Sequence, residues 1–222
     1  MIVFPETVST GDGSLTLRHP VLGDIYHSAH GAIGESEHVF IRAGFDFIEK
    51  PHVRVFEMGF GSGLNALLTW KRAHETGKTV DYHATELYPV SPEVAEKLNY
   101  ASQDTLFHDI FMRMHSLPWE ITTEIDRIFR LTKFEKSLAE IEFDTIFDVV
   151  YFDAFAPDTQ PELWTPEIFR KLYEHTSTGG ILVTYSSKGA VKEALRTAGY
   201  EVRRLPGALG KRHMLRAEKK QA

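Results

Sequence analysis

The chain has no cysteine among its 222 residues, which excludes disulfides and thiolate metal sites. No apolar run approaches the ~20 residues needed to span a bilayer. Met1 to Glu6 lacks a basic region leading into a long apolar one, so no secretory signal is expected and a cytoplasmic location fits. The 11 histidines include no H-E-x-x-H or similar spacing. His27 and His30 have no third ligand in view, and no metal is expected. The phosphate-cradling G-x-x-x-x-G-K-[ST] is missing. Ser186-Ser187 lies outside any G-x-S-x-G elbow, so nothing supports a hydrolase. Internal repeats and low-complexity linkers are also lacking.

What is present reads as a soluble globular protein, 42% hydrophobic and 25% charged. The length suits one large domain or two small ones. The net charge of −6 hides an asymmetry: residues 188–222 hold 10 Lys or Arg against 3 Asp or Glu, a net of +7. The other residues hold 15 against 28, a net of −13. A basic end on an acidic body suits an anionic partner such as nucleic acid, and a solvated basic tail is the alternative.

The most informative stretch is 53–65, Val-Arg-Val-Phe-Glu-Met-Gly-Phe-Gly-Ser-Gly-Leu-Asn. An apolar run ends at an acid, Glu57; Gly59, Gly61 and Gly63 follow at alternate positions; an amphipathic run then covers 64–74. This predicts a strand, a Gly-rich turn and a helix, with a ligand lying on bare backbone at the helix N-terminus. The dinucleotide fingerprint G-x-G-x-x-G/A needs a small third residue, and that position is Leu64. An acid two residues before G-x-G-x-G resembles the first motif of class I methyltransferases, which bind S-adenosyl-L-methionine. That cofactor is cationic and carries no phosphate, so an acid beside the turn suits it. A tight turn without ligand is the plain alternative.

Elements alternate through the core. Strands are predicted at 53–58, 80–85, 127–131, 147–152 and 181–185, with final ones at 201–205 and 213–216. Helices are predicted at 64–74, from Ser91-Pro92, at 134–141, from Thr165-Pro166 to before Gly179-Gly180, and from a Ser187 cap to Ala198. Residues 100–125 form an insertion of unassigned structure. Residues 1–50 read as a β-rich extension, a β-hairpin or small sheet with strands at Leu15-Thr16-Leu17 and Ile25-Tyr26-His27, followed by a short helix or strand from His38 to Ile41 that ends near Gly44. The fold class expected is α/β, a doubly wound and mostly parallel sheet (51–222) behind that extension. Ligands in such sheets bind beyond the carboxyl ends of the strands. The glycine turn, Glu86, the segment after the third strand and Asp153 all fall there.

Glu86 lies 27 residues after Gly59 and suits a ribose diol; an exposed strand-end acid is the alternative. Glu135 is the candidate for the adenine amino group, or an ordinary acid in a first helical turn. In Tyr151-Phe152-Asp153-Ala154-Phe155-Ala156-Pro157, Asp153 emerges beside the expected methyl donor. Many amine and amide methyltransferases carry an Asp/Asn-Pro-Pro-aromatic turn at this place. An aliphatic amine, pKa about 10.4, must lose its proton before attack, so an acceptor there matters. Phe155 suits stacking on a planar base. Asp153 as a turn residue or helix cap is the alternative. Residues 207–213, Gly-Ala-Leu-Gly-Lys-Arg-His, form a glycine-flanked basic loop suited to a phosphate backbone, or a turn with solvated cations.

Together these segments resemble the methyltransferase part of the MnmC family of tRNA 5-methylaminomethyl-2-thiouridine methyltransferases. The similar segments are Tyr26-His27-Ser28 with 31–40, 57–65, Phe152-Asp153-Ala154-Phe155-Ala156-Pro157, Pro161-Glu162-Leu163-Trp164-Thr165-Pro166, and 207–215. The resemblance implies methyl transfer from S-adenosyl-L-methionine to a wobble-uridine aminomethyl group. It implies that Glu57, Gly59, Gly61, Gly63, Asn65, Glu86 and Glu135 serve the cofactor and Asp153 the chemistry. Tyr26, Phe155, Pro157, Lys211 and Arg212 would face the substrate, with the basic C-terminal part on the tRNA anticodon region. Longer family members add an FAD-dependent oxidase. This chain is expected to lack that domain and FAD, and to need a separate enzyme that supplies the aminomethyl substrate. The family's Gly-Asp after the third strand is here Phe134-Glu135. A class I methyltransferase acting on a small amine or protein, and a non-catalytic RNA-binding module, are the competing readings.

Overall fold

In the computed structural model, residues 5–101, 104–208 and 210–221 are described. The reading of Met1 to Glu6, the insertion 100–125 and the basic loop 207–213 therefore each extend in part outside the described residues.

The extension begins as a two-stranded antiparallel hairpin, β1 (Glu6–Ser9) with β2 (Leu15–Arg18). The hairpin partner of Leu15-Thr16-Leu17 thus lies upstream, not at 25–27 as the alternation predicted. Ile25 makes a single bridge to Arg18, and the chain then leaves the ladder. The reason is side-chain demand. Tyr26 is carried under Gly61, and the His27 ring meets the Thr16 hydroxyl at 3.0 Å. Helix α1 (Ala32–Ser36) runs into a π-helical turn, Glu37–Arg42, so the 38–41 segment is helical.

The core follows as β3 (His52–Met58), α2 (Leu64–Thr76), β4 (Thr79–Thr85), α3 (Pro92–Ala95) and α4 (Thr105–Ser116). Next come β5 (Thr123–Glu124), β6 (Phe129–Phe134), β7 (Phe147–Phe152), α5 (Pro166–Glu174) and β8 (Thr176–Thr184). The chain closes with α6 (Gly189–Thr197), β9 (Glu201–Pro206) and β10 (His213–Glu218). The 8-stranded sheet has the order β5-β6-β4-β3-β7-β8-β10-β9. Strands β6, β4, β3, β7 and β8 pair in parallel; β5 at one edge, and β10 followed by β9 at the other, pair antiparallel.

All six residues of β7 are buried, as expected where helices cover both faces. One layer packs Val55, Tyr82 and Val149 under Leu67, Trp70 and Phe111. The other packs Phe56, Val150 and Phe152 under Trp164, Phe169 and Leu195. The charged member of β7, Asp148, is 1% exposed and is held by Lys50 Nζ at 2.6 Å and the Arg54 backbone N–H at 2.9 Å. No helix among the described residues is long and apolar enough to cross a membrane.

Four local expectations fail. The third core strand lies at Phe129–Phe134, because it continues as far as β4 offers partners, to Thr85↔Phe134. The helix predicted at 134–141 does not form. Ser137 donates from both N–H and hydroxyl to the Glu140 carboxylate, closing a single turn, and so short a segment cannot offset helix nucleation. Gly179-Gly180 lies inside β8 and does not precede it. Pairing jumps from Phe147↔Thr176 to Val149↔Ile181, and Gly179 with φ +76° absorbs the irregularity. Ser187 caps nothing: α6 starts at Gly189 after Lys188. The insertion, in turn, is largely α4, capped by Asp104, whose carboxylate accepts from the Leu106 and Phe107 N–H groups.

Candidate active site

A cavity of about 480 Å³ opens beyond the carboxyl ends of β3, β4 and β7, within the range of small-molecule sites. Its floor is the 59–63 turn. Gly59, Gly61 and Gly63 all have positive φ, at +92°, +51° and +74°. At Gly61 a Cβ would stand 2.9 Å from the Tyr26 ring, and at Gly59 2.9 Å from the Asp153 carbonyl oxygen. The turn is thus pressed between the extension and the β7 loop, which is why these positions take no side chain.

Glu86 follows β4 and faces the turn. Its carboxylate accepts from the Gly61 N–H and the Tyr88 N–H, each at 2.9 Å. Burial raises its pKa, against the lowering effect of those donors. Glu57 is fully buried beneath the turn and does not line the cavity. The Tyr82 hydroxyl and the Asn65 amide donate to its two oxygens at 2.8 Å. Asn65 Nδ2 also donates to Asp153 at 2.8 Å, so one amide ties both carboxylates. Asn65 Oδ1 is buried and accepts nothing among the described residues. A cationic ligand fits these acceptors: the carboxylates of Glu86 and Asp153 line the cavity, with Glu57 buried beneath, at a floor where Gly59 and Gly61 leave the backbone bare.

Asp153 lines the cavity, its N–H donating to the Met58 carbonyl at 3.0 Å. Burial, then the Glu35 carboxylate, raise its pKa well above the ordinary range; the Asn65 bond and Lys211 pull the other way. Phe155 and Tyr26 form the aromatic wall, edge to face at 5.1 Å, backed by His19 at 5.4 Å from Phe155. The Pro-Glu-Leu-Trp-Thr-Pro segment has a local reason. Pro161–Leu163 is a 3-10 turn, Thr165 caps α5, and the Trp164 indole N–H holds the Phe155 carbonyl at 2.9 Å. It fixes the turn that presents Asp153 and Phe155.

Of the residues named from sequence, Gly59, Gly61, Asn65, Glu86, Asp153, Phe155, Tyr26 and Lys211 meet at this cavity. Gly63 lies behind it, capping α2, and Pro157 is half-buried outside it. Glu135 is exposed and its side chain does not reach the cavity, because β6 runs on to Phe134; Lys136 and Ser137 line that edge instead. Arg212 is exposed while its neighbour Lys211 turns inward. Sequence reasoning missed Glu35, Tyr185 and Gln160, which also line the cavity. Glu35 sits inside the 31–40 segment, and only its burial distinguishes it from a surface acid. Among the described residues no group of three or more His, Asp or Glu is placed to hold a metal ion.

Residues 131–220 match the family described as S-adenosyl-L-methionine-dependent methyltransferase. The tRNA 5-methylaminomethyl-2-thiouridine biosynthesis bifunctional protein MnmC of Burkholderia thailandensis is 35% identical, over 91% of this chain and 33% of its own length. The protein of the same name from Pseudomonas fluorescens is 30% identical, over 90% of this chain and 33% of its own. The chain therefore spans about a third of the length of these curated relatives. The crystal structure of MnmC2 from Aquifex aeolicus superposes with a TM-score of 0.80 at 28% identity, over 100% of this chain and 72% of that one. Spermidine synthase from Thermotoga maritima, at TM-score 0.56 and 16% identity, shares the fold alone.

Proposed function

We propose, for a chain whose residues 131–220 match the S-adenosyl-L-methionine-dependent methyltransferases, that it N-methylates the 5-aminomethyl group of a tRNA wobble uridine. The observation that carries this reading is Asp153, held by Asn65 beside the glycine floor and lining the same cavity as the aromatic wall of Tyr26 and Phe155. When bound, S-adenosyl-L-methionine supplies an electrophilic methyl group. Residues 59–63 would give main-chain contact at its floor, and Glu86 keeps free lone pairs for a ribose diol. Asp153 accepts an N–H of the substrate amine and takes up its proton. The wall of Tyr26 and Phe155 offers the uracil plane one aromatic surface to rest on, which supplies the orientation on which transfer depends.

The tRNA anticodon region meets the basic C-terminal part, a separate enzyme supplies the aminomethyl group, and the reaction belongs to the cytoplasm. The test is incubation with S-adenosyl-L-methionine and tRNA carrying 5-aminomethyl-2-thiouridine. Nucleoside mass spectrometry is expected to show the 5-methylaminomethyl product. A chain that binds the cofactor and makes none would reject the assignment.

Gly61→Ala tests the floor separately. The added methyl meets the Tyr26 ring at 2.9 Å on a backbone with φ +51°. A non-glycine residue there costs about 1 kcal/mol before any displacement. Calorimetry is expected to show cofactor affinity reduced about tenfold or more, with the fold retained by circular dichroism.

A further inference from the structure

The substrate end of the cavity holds an ion pair that the proposed reaction does not explain. Glu35, on α1, is 7% exposed. One carboxylate oxygen accepts the Ser28 N–H at 2.8 Å, and the other meets Lys211 Nζ at 2.5 Å. The same ammonium lies 4.1 Å from the centre of the Tyr185 ring. Glu35, Tyr185, Lys211 and Asp153 all line one cavity. The Tyr185 hydroxyl donates to the Ala154 carbonyl at 2.9 Å, which fixes the ring beside the Asp153 turn. A buried carboxylate, an aromatic face and a second carboxylate nearby form a recognition set for an alkylammonium.

The proposed substrate is a primary amine, which reaches the enzyme mostly as an ammonium at neutral pH. We propose that Glu35, Tyr185 and Asp153 form the amine-recognition subsite, and that the ammonium of Lys211 occupies it until the substrate's ammonium displaces it. This rests on the amine-methyltransferase reading above. Exchange of one ammonium for another leaves no buried carboxylate unpaired at either stage, so the swap avoids the cost of a naked charge. Lys211 can leave because it rides on the loop between β9 and β10. Its side chain is 34% exposed, so the ammonium can swing into solvent on its own stem while the backbone stays in place. The position also reverses the sequence-based role of this residue. A lysine bound to a phosphate backbone strengthens tRNA binding, whereas one that fills the amine subsite opposes it.

The experiment is calorimetric titration of the free nucleosides 5-aminomethyluridine and uridine into the full chain saturated with S-adenosylhomocysteine. Lys211→Met is expected to bind 5-aminomethyluridine at least threefold tighter than wild type. Glu35→Gln is expected to bind it at least tenfold weaker. Uridine affinity should be the same in all three proteins, and retained S-adenosylhomocysteine binding confirms folding. If Glu35→Gln fails that check, the sign of the Lys211→Met effect decides alone. Weaker or unchanged binding in Lys211→Met overturns the proposal, as does a wild type that does not prefer the aminomethyl nucleoside. A wild type that binds the nucleoside as expected but methylates no tRNA would remove the tRNA reading and leave the amine subsite standing.

Discussion

Replacing Asp153 with asparagine is expected to slow methyl transfer about 10²–10⁴-fold, the usual loss of a positioned proton acceptor, while making the ligand-free protein more stable. The second half follows from charge. Burial, then Glu35, lift the Asp153 pKa well above its ordinary value. A carboxyl group whose folded pKa exceeds its unfolded one, about 3.9, stabilises the fold fully below that unfolded value. That contribution is lost as pH rises through the folded pKa. Toward neutral pH the carboxyl group therefore works against folding, and asparagine, with nothing to ionise, removes the penalty. A gain of about 1 kcal/mol, or ~2–4 °C, is expected. Scanning calorimetry at several pH values should show the variant's advantage growing from acid toward neutral, with S-adenosylhomocysteine still bound. Full turnover by Asp153→Asn would remove the carboxylate from the mechanism.

The second large effect lies one strand-length away, at Asp148. Burial alone would raise the pKa of this group, but Lys50 and the Arg54 N–H reverse that and hold it below the ordinary value. The sign is therefore opposite. Its contribution is present above the unfolded pKa of about 3.9 and is lost as pH falls through the depressed folded value. Asp148→Ala leaves the Arg54 N–H and Ser177 hydroxyl without their acceptor inside the sheet, and is expected to cost about 3 kcal/mol. Urea titration should show a lower midpoint with an unchanged slope. The wild-type acid limb, steep below about pH 4, should flatten in the variant. A midpoint shift too small to detect would show that β7 is anchored by its apolar residues alone.

Much of the frame was legible because parallel strands buried on both faces leave a strong signature. The run 147–152 and the break after Met58 mark strand ends directly, and those ends locate the cavity. What failed was context. Gly179-Gly180 reads as a stop signal, yet the sheet uses Gly179 to correct a register that only the neighbouring strand defines. Glu135 seemed to follow the third strand because the run 127–131 looked complete; β4 pulls that strand onward to Phe134. In the site, Asp153 and the glycines stand out because their local pattern alone places them at the strand ends that bound the cavity. Glu35 and Tyr185 do not, since their meaning arises from contacts with residues far along the chain. Lys211 was visible as a cation, but the direction it points was not.

The pairing of Glu35 with Lys211 joins positions 176 apart. The mouth of the cavity therefore cannot close over its own polar contacts until β9 and β10 have been added at the edge of the sheet. During synthesis, the glycine floor is complete long before the far wall exists. A chain still on the ribosome carries the residues of the floor but not yet those that complete the mouth.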